Sequence, residues 1–266
     1  MIAIDKYNQR DDAINSLLCV GLDSDINKIP EPYKTQVQPQ LEFNRHIINK
    51  TAEYAGAFKF NIAFYEARGA KGITDLADSV EYLRNRHPDI LTICDAKRSD
   101  IGNTSQAYAH AIFDEIGFDA VTLSPYLGRD ALMPFLGYKD KACIILCRTS
   151  NAGSGEFQNL QIDNKPLWLV VAERVANEWN DNSNCMLVVG ATYPAEMAQI
   201  RQAVGDMPLL VPGIGAQGGD ISAVMKAGLN SENKGLIINS SRSIIFSENP
   251  ATSAKTLRDE INASRS

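Results

Sequence analysis

Short runs rich in Val, Ile and Leu recur along the chain at 17–22, 57–60, 90–94, 119–123, 142–147, 185–189, 208–211 and 236–239. Each is apolar almost throughout rather than alternating, which is the pattern of strands buried on both faces, as in parallel sheets. Between them the apolar positions switch to helical spacing. Examples are Ile73, Leu76, Val80 and Leu83, then Ala109, Ile112, Phe113 and Ile116, then Leu167, Val170, Val171, Val175 and Trp179. Strands alternating with helices predict right-handed crossover units. Eight such units close naturally into a barrel, so the predicted fold class is α/β, a (β/α)8 TIM barrel forming a single domain over residues 1–266. Periodicity does not separate a closed from an open sheet, and a doubly wound sheet is the competing arrangement.

The longest stretch without either period is 150–166, which contains Gly153, Ser154 and Gly155 and predicts a long loop after the fifth strand, either a lid or a plain surface connection. Composition narrows the function classes. With 44% apolar and 22% charged residues the chain can bury a core along most of its length. Against 32 acidic residues stand 26 basic ones, a net charge of −6 with no Lys/Arg run, so the footprint of a nucleic-acid binder is missing. The charged segment 1–10 lacks the apolar stretch of a signal peptide, and no later run reaches the ~18 apolar residues of a membrane span. No membrane association and a cytoplasmic location are therefore expected. The five cysteines, Cys19, Cys94, Cys143, Cys147 and Cys185, lie inside apolar runs without CxxC spacing and read as buried reduced thiols. His46, His87 and His110 form no metal-ligand pattern.

In a barrel of this kind the chemistry collects at the C-terminal strand ends. Several apolar runs here end in polar residues: the first in Asp23, the second in Lys59 and Asn61, the third in Asp95 and Lys97, the fifth in Arg148, Thr149 and Ser150, and the eighth in Ser240, Ser241 and Arg242. Residues two apart on an extended chain share a face, which pairs Asp95 with Lys97 and Lys59 with Asn61. An alternating array of two lysines and two aspartates, with Asp100 as the fourth member, is neutral overall and can satisfy its own hydrogen bonds, whereas isolated buried charges are costly.

Gly213, Gly215 and Gly218 spell G-x-G-x-x-G, but after the seventh run rather than the first, and the following run ends in Asn239 and Ser240 instead of an acidic residue. Bare amides there, together with Arg242, instead form a phosphate cradle of the sort these barrels carry. The ligand that follows is a phosphorylated small molecule.

The segment Asp95-Ala96-Lys97-Arg98-Ser99-Asp100-Ile101-Gly102-Asn103-Thr104 resembles the D-x-K-x-x-D-I-G-x-T signature of orotidine 5′-phosphate decarboxylases. Further matches are Gly21-Leu22-Asp23, Phe58-Lys59-Phe60-Asn61, Phe64-Tyr65-Glu66, Thr149-Ser150-Asn151, Val211-Pro212-Gly213-Ile214-Gly215-Ala216-Gln217 and Asn239-Ser240-Ser241-Arg242, so the resemblance covers nearly the whole chain. Its segment 59–69 and its long loop after Ser150 resemble the longer subgroup of that family. The resemblance implies decarboxylation of orotidine 5′-phosphate to UMP, the last step in making that nucleotide, without cofactor or metal, by a homodimer with shared active sites. It implies that Lys97 protonates C6, that Asp95, Lys59 and Asp100 complete the charged array, and that Asp100, Ile101 and Thr104 cross the dimer interface. Asp23, Lys59 and Asn61 would contact the ribose, Ser150 the pyrimidine, and Gln217, Gly218 and Arg242 the phosphate. Some relatives carry a Tyr two positions after the phosphate-loop Gln. Here that position is Gly219, so loop amides would replace a phenol contact. The rival readings are a Mg²⁺-dependent sugar-phosphate decarboxylase with the same D-x-K-x-x-D, a Schiff-base aldolase using Lys59 or Lys97, and a non-catalytic phosphate-binding barrel.

Overall fold

In the computed structural model, which describes residues 2–214 and 219–265, eight parallel strands close into one barrel. They are β1 (Leu18–Gly21), β2 (Ala57–Asn61), β3 (Leu91–Arg98), β4 (Ala120–Leu123), β5 (Ala142–Arg148), β6 (Cys185–Val189), β7 (Leu209–Pro212) and β8 (Leu236–Ser240). The seam settles closure: β1 pairs with β2 on one side, Val20 opposite Phe58, and with β8 on the other, Leu18 opposite Ile238. An open sheet is thereby excluded. β1, β4, β6 and β8 are buried at every position, because helices cover the outside and side chains from neighbouring strands fill the inside.

The helical spacings correspond to helices Ala70–Arg86, Gly102–His110 and Leu167–Arg174. The last two run on into wider π turns, Ala111–Ile116 and Val175–Trp179, which still bury Ile112, Phe113, Val175 and Trp179. All five cysteines are buried and unpaired. Among the described residues no helix is long and apolar enough to cross a membrane.

One helix has no counterpart among the sequence expectations. Residues Ala3–Ile14 (α1) lie across the N-terminal mouth of the barrel, burying Ala3, Tyr7 and Asp11 on one face. Three of its contacts go to residues where strands begin: the Tyr7 hydroxyl donates to the Leu236 carbonyl at 2.6 Å, Lys6 pairs with Asp119 at 2.8 Å, and Arg10 donates to the Ala55 carbonyl at 3.3 Å. The plug seals the end opposite the polar strand termini. The segment after β5 is not a bare loop either. It folds into short turns, Ala152–Ser154 and Gly155–Gln158, followed by an antiparallel hairpin of Gln161–Ile162 with Lys165–Pro166.

Candidate active site

The C-terminal end of β3 departs from regular pairing. Cys94 lies opposite Val121 and Arg98 opposite Leu123, so β3 bulges against β4 between them. Within the bulge Lys97 adopts φ 50°, the left-handed region that a lysine rarely occupies. Strain of this kind persists where surrounding contacts enforce it, and it clusters at functional positions. The enforcing contact is Thr122 on β4. Its Oγ1 accepts from the Lys97 backbone N–H at 2.9 Å and donates to Asp95 Oδ1 at 3.1 Å. Asp95 and Lys97 do meet, as their two-residue spacing predicts, but through a bulge rather than a plain extended strand.

Asp95 is the hub. Lys97 Nζ reaches its Oδ1 at 2.6 Å, Lys59 Nζ its Oδ2 at 3.0 Å, and Asp23 Oδ1 stands 3.5 Å from Lys59 Nζ. Burial alone would raise the Asp95 carboxyl, but the Lys59 and Lys97 charges outweigh it and hold Asp95 well below the usual carboxylate range. Burial alone would likewise lower the Lys59 ammonium, and Asp23 and Asp95 reverse that, raising it above an ordinary lysine. A permanently charged Lys59 opposes the aldolase reading, which needs a neutral amine. Beneath Lys59 the Cys19 thiol is pushed by burial to about 12 and carries no thiolate at neutral pH.

Within one chain the array therefore contains Asp23, Lys59, Asp95 and Lys97. Asp100 accepts from the Ile101 backbone N–H at 2.8 Å, at the start of helix Gly102–His110. Among the described residues, Asp100, Ile101 and Thr104 line neither cavity beside the array, and Ile101 is 62% exposed.

Two adjoining cavities, of about 220 and 450 Å³, share Lys59, Asp95 and Pro212. The smaller is polar, lined by Asp23, Asn61, Gly213, Asn239, Ser241 and Arg242. The larger presents Lys97, Thr122 and Ser150 against Leu146, Val188 and Leu210. One lobe thus suits an anion and sugar, the other a flat heterocycle. Ser150 sits against Gly190, where a Cβ would come within 2.8 Å of the serine Cβ and 2.9 Å of its backbone nitrogen, so the residue after β6 must be glycine for Ser150 to reach this position.

Gln217 and Gly218, expected at the phosphate, lie outside the described residues, as does Gly215. Gly219 is described. A Cβ there would lie 2.6 Å from the Ala191 Cβ and 3.1 Å from the Gly213 carbonyl oxygen, so this backbone excludes a tyrosine at that position.

Arg148, the charged end of the fifth apolar run, lines neither cavity beside the array. It is 2% exposed and donates to Glu196, to Ser154 Oγ at 2.6 Å and to Gln158 Oε1 at 3.2 Å, with its guanidinium 3.8 Å from the centre of the Tyr193 ring. Gln158 also accepts from the Thr149 backbone N–H at 3.0 Å. Arg148 therefore anchors the segment after β5. The register of β5 against β6 slips between Leu146 and Arg148, so the simple alternation of faces does not continue to Arg148. Thr122 and Gln158 escaped the sequence reading. Thr122 left a usable trace, a lone hydroxyl inside the apolar run of β4.

The sequence matches the model of the orotidine 5'-phosphate decarboxylase / HUMPS family over residues 16–257. It is similar to an orotidine 5'-phosphate decarboxylase of Cellvibrio japonicus (strain Ueda107), 46% identical over 260 residues that cover 94% of each chain. Among solved structures it resembles Leishmania donovani OMP decarboxylase, with a TM-score of 0.89 and 40% identity over 100% of this chain and 99% of that one. It also resembles Leishmania donovani UMP synthase, with a TM-score of 0.92 and 42% identity, where it spans 57% of the longer chain.

Proposed function

The chain belongs to the orotidine 5'-phosphate decarboxylase / HUMPS family, and we propose that the charged array at the mouth of its barrel removes the carboxylate of orotidine 5′-phosphate. The protein is a carboxy-lyase that converts orotidine 5′-phosphate to UMP and CO₂ in pyrimidine biosynthesis. The observation that carries the assignment of residues is the Lys97 ammonium, held at 2.6 Å from Asp95 beside the apolar lobe.

The phosphate occupies the polar lobe against Gly213 and Arg242, with Gln217 and Gly218 completing the cradle. Asp23, Lys59 and Asn61 take the ribose hydroxyls, and the pyrimidine lies in the apolar lobe beside Ser150. Cleavage of the C6–carboxylate bond leaves its electron pair on C6, where no neighbouring carbonyl delocalises it. The developing charge is offset by the Lys97 ammonium, fixed in advance by Asp95, and the same ammonium then delivers a proton to C6. Asp95 stays ionised throughout because two ammonium groups and the Thr122 hydroxyl converge on it. No cofactor or metal takes part. The loss of absorbance of orotidine 5′-phosphate is expected to run at the same rate with and without EDTA. Inhibition by EDTA that added Mg²⁺ reverses would instead support the sugar-phosphate type of mechanism.

The active unit is a homodimer with shared sites, to which Asp100, Ile101 and Thr104 of one protomer contribute in the other. The exposure of Ile101 supports this, together with that of Tyr126 (84%) and Phe157 (62%) on the loops around the same end of the barrel. Inactive Lys97→Ala and Asp100→Ala dimers, mixed and allowed to exchange, are expected to regain activity. Half of the dimers become hybrids with one intact site of two, giving about a quarter of wild-type turnover. Confirmed exchange without regained activity overturns the shared site.

The ligands are small molecules, not nucleic acid, and the chain forms one domain over residues 1–266. Five buried unpaired thiols fit the reducing cytoplasm, the compartment we assign.

A further inference from the structure

Asp23 is the least supported member of the array. Its Oδ1 is buried and, among the described residues, has no hydrogen-bond donor, only the Lys59 ammonium at 3.5 Å. A carboxylate with so little to hold its tip takes its position from its backbone, and here both flanking residues enter one buried polar network. The Tyr65 hydroxyl donates to the carbonyl of Leu22, the residue before Asp23, at 3.0 Å. Ser24, the residue after it, donates through Oγ to Asn44 Oδ1 at 2.5 Å. Asn44 closes the circuit by donating from Nδ2 to the Tyr65 hydroxyl at 2.9 Å, and also to Ser79 Oγ at 2.9 Å. Gln40 adds a bond to the Ser24 carbonyl at 2.7 Å.

Tyr65, Ser24, Asn44, Gln40 and Ser79 are all 0% exposed and line neither cavity. They come from separate parts of the chain: the loop after β1, helix Pro39–Thr51, the turn after β2 and helix Ala70–Arg86. Such a circuit is costly to bury unless complete, and complete it fixes geometry. The Leu22 N–H in turn donates to the carbonyl of Lys59 at 2.7 Å, so the same stretch of backbone carries both Asp23 and its register against Lys59.

We propose that Tyr65, Asn44 and Ser24 are positioning residues that set the Asp23 carboxylate at its working distance from Lys59 and the ribose hydroxyls. This rests on the reading of Asp23 as a substrate contact. Small misplacements of such a group are costly to rate, because productive geometry is narrow.

A double-mutant cycle in kcat/KM for orotidine 5′-phosphate tests it. Tyr65→Phe keeps the ring and removes one hydroxyl. It is expected to lower kcat/KM about tenfold in the wild-type background and by less than about twofold when Asp23 is already alanine. The loss should fall on the same parameter, kcat or KM, as in Asp23→Ala. Ser24→Ala, a smaller change that leaves the aromatic packing intact, is expected to show the same coupling, and it decides the matter if Tyr65→Phe does not fold. Equal losses in both backgrounds, or no loss from either variant in the wild type, overturn the proposal while leaving Asp23 at the substrate. An Asp23→Ala variant with wild-type kcat/KM overturns the Asp23 reading and this inference together.

Discussion

Replacing Lys97 with alanine is expected to leave the barrel folded and to lower kcat by about 10⁴-fold or more, the combined scale of losing a general acid and an electrostatic stabiliser. Both halves of this result follow from the geometry. Among the described residues, Lys97 pairs only with Asp95, and its side chain is 51% exposed, so the ammonium adds about 0–1 kcal/mol to stability. Alanine bears the same backbone strain at φ 50° as lysine, and the N–H bond to Thr122 involves no side-chain atom of residue 97. Asp95 keeps Lys59 and the Thr122 hydroxyl, so no buried carboxylate is left unpaired. Catalysis has no comparable reserve. Without a cofactor sink, charge at C6 needs a cation and then a proton, and in the proposed mechanism Lys97 supplies both. Among the described residues, Lys59 is the only other ammonium on Asp95, but it is buried between Asp23 and Asp95. Thermal unfolding within a few degrees of wild type, together with turnover at background, is the expected pair of measurements. Residual turnover above about one per cent would assign the proton to Lys59.

How far the chain discloses this arrangement depends on whether a feature is local. Barrel strands are buried on both faces, so runs such as 142–147 and 236–239 stand out without reference to anything else, and all eight are strands. Their C-terminal ends are less visible. β3 continues to Arg98 because a bulge, set by its pairing with β4, extends it beyond the apolar run. The same bulge brings Thr122 beneath Lys97, a contact between residues 25 apart in sequence. Helix α1 is hidden for another reason. Its buried stripe is Ala3, Tyr7 and Asp11, and the third position is tolerated only because Arg265, from the far end of the chain, pairs with Asp11. Charge types and spacing identify Lys59, Asp95 and Lys97 as a group, but not that Asp23 stands 3.5 Å from Lys59 within it. The signature Asp95-Ala96-Lys97-Arg98-Ser99-Asp100 places Asp100 five residues from Asp95, but the bulge and the turn into helix Gly102–His110 carry it away from the array of its own chain.

Arg242→Ala is expected to lower kcat/KM by about 2–5 kcal/mol, or roughly 30- to 5000-fold, the cost of truncating one partner of a charge pair that forms only when phosphate covers the guanidinium, exposed in the free chain. Arg242 lines the polar lobe at the end of β8, whereas Lys97 lines only the apolar one, so in the proposed binding mode the guanidinium stands away from C6. A remote group matters to rate because this reaction lies near the demanding end of the enzymatic range, where ~23 kcal/mol of transition-state stabilisation is required and no single contact provides it. Binding energy at the phosphate must then hold the pyrimidine against Lys97 in the closed site, which places the anion lobe among the catalytic elements. The dependence falls heavily on Arg242, since Gly219 cannot carry a phenol and Lys59, the other cation lining the polar lobe among the described residues, is already paired with Asp23 and Asp95. Inhibition constants separate this account from a structural one. UMP should bind Arg242→Ala far more weakly than wild type, whereas uridine, which has no phosphate, should bind both alike. A loss in kcat/KM below about tenfold, or equal weakening of UMP and uridine, would place the guanidinium elsewhere than on the phosphate.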